Sequence, residues 1–591
     1  MKDRPAKYHP LVNLAMPGIL LFIISFIWFY FPGEYVLIAN RDLSLFITTP
    51  GYLLSFLDHP GGLLEYAGSF LNQFYRFHIA GALVLSGVIT SAYFVSMCLI
   101  ARISGQKELF LIGLLTAVLL MGMHNYYPHQ IGQSLGFILS MGLAALVPSS
   151  GLPRIRFLML VVPLFYLLAG GFLWVFCGLV MASYLPRPTK RDIPTLLLIS
   201  LYPIVLVISF ARLLFLDSLS LLAVRPLPFG EAYGTSPWPW LFIGWIILGV
   251  ILARRPLRIL KMNPAWRTVV QSSVCLLGLL LVLHFSFNRK NSELFHIEKL
   301  ALNQDWDELL SYTTEHPSRN LFGAFYTNMA LAHSGKLCTE LFLYPQSFGR
   351  RGLCFEWDAK GEMLRRGSDF FWTVHFVNEA HHWAFESMVI DGFTSRNLTR
   401  LIQTELVRGN HRVAEKYVDL LGSALFHKKK AKYYAPFLDD REAILNDPEL
   451  GPRMKIHLKQ DFFAEGMDLE INLRSLLANN PSNLPAYEYL MALLLLEKEV
   501  DKIAAALPGY LEANKGMLPS LLDESILVYK ITHREEDTSE FNVSPASLKR
   551  FDAYTGILRQ YRDQNEAARV LYPTYGSSFW FYLNFVSIPN L

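Results

Sequence analysis

Charge is scarce in the first half of this 591-residue chain, where residues 1–286 hold 9 Asp+Glu and 19 Lys+Arg. The remaining residues hold 40 and 34, so the two parts carry −6 on the tail side and +10 on the leading side. So few charges across long apolar stretches argue against an ordinary water-soluble core there, and a basic excess confined to short connections fits lipid headgroups better than nucleic acid. Cysteine is also sparse, five in all, with no paired CxxC, which removes a zinc-ribbon or dithiol redox reading. P-loop, GxGxxG and GxSxG patterns are missing too, so a nucleotide-driven pump and the usual serine hydrolase lose support. Cys98, Cys177 and Cys275 fall in apolar stretches; Cys338 and Cys354 fall in the polar tail, where a disulfide and two separate thiols both fit.

What the chain has in abundance is apolar length. Stretches run approximately over 11–31, 77–100, 109–123, 131–148, 157–185, 193–214, 239–253 and 268–286. Most approach the ~20 residues a membrane-crossing helix needs. The segment 157–185 has basic clusters on both flanks, Arg154/Arg156 and Arg187/Lys190/Arg191, so a single crossing would place one cluster on the wrong side. Splitting it at Ala169-Gly170-Gly171 resolves the conflict and gives about nine spans. The first stretch follows Lys7 and Pro10 and has no small-residue cleavage site after it, which predicts a retained helix.

Alternate connections hold nearly all the Lys and Arg, while the others hold only Arg41, Arg76 and Arg225. The positive-inside rule then predicts a cytoplasmic N-terminus and places everything after residue 287 outside. The expected organisation is all-α: a polytopic membrane domain over 1–286, with outer loop 33–76 carrying surface helices, then a soluble α-helical domain over 287–591. The expected location is a bacterial inner membrane with a periplasmic tail. In the tail, helix pairs are predicted at 293–302 with 306–314, 396–408 with 412–421, and 484–497 with 500–507, the last stopped by Pro508-Gly509. Short helix pairs with small turn residues look like tetratricopeptide repeats, which stack because one pair cannot bury its own apolar face.

Several residues could carry chemistry. Glu34, Asp42 and Asp58 lie in the first outer loop and are candidate general bases. His124, Tyr126 and His129 form a polar cluster in the short connection at 123–130, suited to a phosphate or sugar but equally to an interfacial belt. Arg212 sits inside an apolar run near its outer end and Arg225 in a later outer loop; both are candidate phosphate clamps, with snorkelling to headgroups the competing reading for Arg212. His375, Glu379, His382 and Glu386 recur at helical spacing, yet the interleaved Phe371, Trp372, Phe376 and Trp383 favour a packed helix with a polar stripe over a metal site.

The segments Pro60-Gly61-Gly62-Leu63-Leu64-Glu65-Tyr66, Phe70 to Tyr75, and Tyr166-Leu167-Leu168-Ala169-Gly170-Gly171 resemble an uncharacterised bacterial family of multispan proteins with helical-repeat tails. The layout of the first half is similar to GT-C-type glycosyltransferases. That resemblance implies a transferase moving a sugar or related group from a lipid-phosphate donor to an extracytoplasmic acceptor, with an outer-loop acid as base, although the first half has no adjacent Asp-Asp or Asp-Glu dyad. It calls for no particular cofactor and leaves a divalent metal open. Expected partners are membrane lipid, a lipid-linked sugar donor and, through the repeats, periplasmic proteins. The alternative is a membrane-anchored helical-repeat scaffold; a transporter is third, since intramembrane charges are few.

Overall fold

The computed structural model describes residues 10–41, 43, 45–104, 110–149, 151–185, 188–215, 217–229, 236–254, 263–357, 361–456, 468–533 and 542–587. Helices dominate, and among the described residues the one extended pairing is an isolated antiparallel bridge between Ile47 and Ala424. The chain divides into two compact units. One is Met1–Ser292 with Ala424–Phe426; the other is Glu293–Ser423 with His427–Leu591.

The first unit is built of apolar helices whose ends follow the breakers in the sequence. Four, His78–Ser104, Gly151–Ala169, Lys190–Leu213 and Trp266–Ser286, are long and apolar enough to cross a membrane. A fifth arises if Ala15–Tyr30 is counted with Glu34–Arg41, from which it is bent by 66°. Pro32-Gly33 lies at that bend, where proline withholds an amide donor and glycine accepts the change of direction. Phe110–Asn125, Ile131–Leu146, Phe172–Ala182 and Trp238–Ala253 are apolar but shorter. His78–Ser104 is the interior helix, with 61% of its apolar window covered, whereas Trp266–Ser286 has 17% covered. Outward leucines such as Leu276, Leu277 and Leu280, each more than half exposed, form the apolar surface that a bilayer would cover.

The helix expected to split at the glycine pair does so: Gly151–Ala169 ends, Gly170 takes a left-handed φ of +56°, and Phe172–Ala182 begins. The loop 33–76 is more helical than its breakers suggest, holding Glu34–Arg41, Pro50–Leu54, Gly62–Asn72 and a 3-10 turn at Gln73–Arg76.

In the second unit one turn geometry recurs between paired helices. Gln304, Gly335, His375, Gly409 and Lys498 all adopt left-handed φ between +61° and +77°. At each, the amide reaches the carbonyl three residues back and the next amide reaches five back, the two-bond closure that ends a helix and reverses the chain. The helices so joined include Trp306–Glu315, Glu362–Thr373, Val377–Asp391, Ser395–Arg408 and His411–Gly422.

The helix Leu484–Glu497 is apolar all round and buried from Ala486 to Leu496. It lies inside the array, with Tyr489 against Phe370 at 5.0 Å, the Cys338 thiol donating to the Glu488 carbonyl at 3.6 Å, and Asn483 Nδ2 donating to the Val374 carbonyl at 2.9 Å. A helix buried on all faces forms part of the core of this unit.

Two expectations need correcting. Val500–Ala513 runs through Pro508 instead of stopping there, because Leu507 and Tyr510 on either side are buried and their packing outweighs the lost backbone bond. His375 lies in the left-handed turn rather than on the following helix, so the four-residue His/Glu face is broken; His382 pairs with Glu379 at 3.3 Å and stacks on Trp357. No His/Cys/Asp/Glu group suited to a metal occurs among the described residues. All five cysteines are free thiols, Cys354 donating to the Phe355 carbonyl.

Candidate functional site

Three segments far apart in sequence meet at the broken helix. Tyr166 donates its hydroxyl to the Leu222 carbonyl at 3.0 Å, Trp174 Nε1 donates to the Ala223 carbonyl at 2.7 Å, and the Gly171 amide donates to the Arg225 carbonyl at 2.8 Å. These bonds hold the segment ending in the cis Arg225-Pro226 peptide onto the break. From the other side the Gly61 amide donates to the Leu167 carbonyl at 3.0 Å. Glycine is required by space as well as by φ. A Cβ on Gly61, whose φ is +87°, would come within 2.7 Å of Pro226, and one on Gly170 would overlap the Arg225 carbonyl oxygen.

This junction assembles a relay of four ionisable side chains. Arg225 donates from Nε to Glu65 Oε1 at 2.9 Å and from Nη2 to Oε2 at 3.0 Å, a bidentate pair. His59 Nε2 lies 3.0 Å from Glu65 Oε2, and its Nδ1 makes a short contact with Asp58. Ionised carboxylates only accept, so this arrangement favours the imidazolium form of His59, in which both ring nitrogens donate. Its pKa is raised chiefly by the Glu65 hydrogen bond, with Asp58 adding to this against the cost of burial. Burial works to raise the Glu65 pKa, but His59 and Arg225 outweigh it and hold that carboxyl below its usual range.

His59 and Glu65 have spent their polar atoms on one another and their neighbours. What the relay leaves accessible is Asp58, whose side chain is 72% exposed, and the remaining N–H groups of Arg225, 39% exposed. An anchored carboxylate and an anchored guanidinium together can accept a proton and bind an anion.

The relay carries a pH dependence. A raised His59 pKa contributes stability that is fully present below the unfolded value near 6.5 and is lost as pH rises through the folded value; a lowered Glu65 pKa contributes stability present above about 4.5 and lost as pH falls. Amide hydrogen exchange, corrected for intrinsic rate, is therefore expected to quicken in the segment 56–66 on the alkaline side of pH 6.5. A His59→Gln variant should lack that limb, and an unchanged limb in that variant would assign the titration elsewhere.

Of the residues the sequence singles out, the structure brings Asp58 and Arg225 into this relay. Glu34 stands in the first turn of its own helix, 3.8 Å from His78 Nε2, and Asp42 lies outside the described residues. Arg212 is exposed in the last turn of Ile193–Leu213, with no ion-pair partner among the described residues. His124 and His129 are buried at 1% exposure, their Nε2 atoms on either side of the Ser134 hydroxyl at 2.8 and 2.9 Å, and Tyr126 is half-buried beside them. Those imidazoles join neighbouring helices and do not present an open phosphate cradle. Sequence reasoning passed over His59 and Glu65; the run Asp58-His59-Pro60-Gly61-Gly62, an acid and an imidazole against a tight turn, was the available signal.

Fold and site together define an all-α protein with four to five helices fit to cross a membrane and a charged relay at a glycine-built helix break. The chain belongs to the family of unknown function DUF6057, whose model matches residues 8–586 and so takes in both units. No curated protein and no solved structure matches it.

Proposed function

We propose that the protein is an integral-membrane, GT-C-like transferase that moves a sugar or related group from a lipid-phosphate donor to an extracytoplasmic acceptor, with Asp58 as base and Arg225 as phosphate clamp. The observation that carries this reading is the relay, which ties an accessible carboxylate to an accessible guanidinium through His59 and Glu65. In the transfer step the acceptor hydroxyl gives its proton to Asp58 while its oxygen bonds to the sugar anomeric carbon. The bond from that carbon to the phosphate oxygen breaks, and the electron pair departs on the phosphate, whose charge Arg225 offsets. The proposed topology has the N-terminus in the cytoplasm and the relay and tail outside, in the arrangement the loop charges favour.

A scaffold with tetratricopeptide-like repeats needs an open concave face, and in this array Leu484–Glu497 occupies the interior. The transferase reading is tested by profiling envelope glycans in cells carrying Asp58→Asn, Arg225→Ala or a deletion. Loss of the relevant glycan in the deletion strain and in both variants at normal protein level is expected, the Asp58 change costing about 10²–10⁴ in transfer rate. A glycan that vanishes on deletion but persists in both variants would remove Asp58 and Arg225 from the chemistry.

A further inference from the structure

A strained phenylalanine introduces a run of lysines. The segment Ala424–Phe426 belongs to the first unit, where the Leu425 amide donates to the Phe46 carbonyl at 2.9 Å and Ala424 bridges Ile47. Phe426 takes a left-handed φ of +66°, a conformation that is unfavourable for a bulky side chain. Its ring meets Phe74 and Phe77 edge-on, with centroids 5.5 and 5.1 Å from theirs. Even so, Phe426 remains 38% exposed and Phe77 47%. Phe77 directly precedes His78–Ser104, a helix long and apolar enough to cross a membrane, so the three rings mark one end of a candidate span. That is the depth at which phenylalanine and leucine side chains bury themselves between headgroups and acyl chains.

Two residues further on, the helix Lys428–Tyr434 opens with Lys428, Lys429, Lys430 and Lys432 and contains no acidic residue. Lys428, Lys429 and Lys432 are exposed, and none of the three has an ion-pair partner among the described residues. They also stand at the wrong end of their helix. Free amides give the first turn a partial positive charge, and Lys428 and Lys432 are like charges four residues apart, so each lysine raises the energy of the others. Exposed Arg76 adds a cation next to Phe77 in the chain. The Lys428 Cα can lie no more than about 7 Å from that of Phe426, and the headgroup layer is about 5–7 Å deep on each face of a bilayer. A Phe426 ring at the hydrocarbon boundary therefore leaves the ammonium groups within reach of lipid phosphates.

From the outward rings and the uncompensated lysines that follow them we infer an anchor for an anionic lipid surface. Phe74, Phe77 and Phe426 enter the headgroup boundary, and Lys428, Lys429 and Lys432 bind the phosphates. A negative surface offsets the repulsion among the lysines and the field of the helix end together. A membrane is favoured over a soluble polyanion because nucleic acid or an acidic protein would satisfy the lysines but leave the rings in water. The anchor is independent of the transfer chemistry, since it uses none of Asp58, His59, Glu65 or Arg225.

The test places the full-length protein in bilayer discs of phosphatidylcholine alone or of an equimolar mixture with phosphatidylglycerol. Lysine acylation is followed residue by residue by mass spectrometry, with exposed Lys549 as internal control. Lys428, Lys429 and Lys432 are expected to react several-fold more slowly in the mixed discs while Lys549 is unchanged, and the protection should vanish near 1 M salt, where the screening length is about 3 Å. Phe426→Gly suits the left-handed backbone and so keeps the fold, yet it should lose most of the protection. Equal rates in the two kinds of disc, protection that persists at high salt, or full protection in Phe426→Gly would each overturn the anchor. Slower acylation on adding RNA or polyglutamate to phosphatidylcholine discs, with no slowing from phosphatidylglycerol, would assign the lysines to a soluble polyanion and overturn it as well.

Discussion

Alanine at Glu298 is expected to lower the stability of the second unit by about 3–5 kcal/mol, the typical cost of removing one partner from a buried ion network. Glu298 is 6% exposed and accepts from Arg366 Nη2 at 2.8 Å, Arg396 Nη1 at 2.8 Å and the Tyr326 hydroxyl at 3.3 Å. Its removal would leave two buried guanidinium groups facing each other. Arg366 would keep Glu362, and Arg396 would keep its short contact with Asp369, so neither is stranded completely. Replacing Glu298, Arg366 and Arg396 together with apolar residues of similar volume should cost far less, since the desolvated charges leave with their partners.

The same network predicts an acid response. Burial favours the neutral form of Glu298, but Arg366 and Arg396 outweigh it and hold the pKa at about 2. A depressed carboxyl contributes stability present above the unfolded value near 4.5 and lost as pH falls toward about 2. Thermal unfolding of the full-length protein across that interval should show a steeper decline in the wild type than in Glu298→Ala. Indistinguishable slopes, or a variant within about 1 kcal/mol of wild type, would mean that the network contributes little.

Gly170→Ala is the second large effect. A left-handed residue other than glycine costs about 1–2 kcal/mol, and the added Cβ would overlap the Arg225 carbonyl oxygen. That oxygen accepts from the Gly171 amide, and losing a buried bond of this kind costs about 1–3 kcal/mol more. The strap at 217–229 should loosen and carry Arg225 away from Glu65. Hydrogen exchange in that segment should rise, and any transfer activity should fall as is expected for Arg225→Ala. Unchanged exchange there would show that the helix break does not position the guanidinium.

Most helix limits were legible because their causes are local. Pro32-Gly33 and Gly170-Gly171 fall where apolar stretches meet, so breaker and apolar period mark the same helix limits. Pro508 misled for the opposite reason: whether a proline ends a helix or is carried through depends on how well the flanking Leu507 and Tyr510 are buried, which is a tertiary matter. The relay was only half legible. Asp58 and Arg225 stand out as charges in an uncharged setting, but Glu65 meets Arg225 across 160 residues, and nothing local announces that the two share an ion pair. His124 and His129 failed as an open cradle because a short polar connection does not reveal which of its sides the next helix covers, and here Ser134 covers it.

The carbonyl and the guanidinium of Arg225 belong to one residue but face different structures, the carbonyl bonded to the Gly171 amide and the guanidinium to Glu65. That makes this residue the pivot pin of an elbow. The two half-helices at Gly170 cannot swing against each other without dragging the charged end of the pin, and a ligand that pulls on that end applies torque to the elbow.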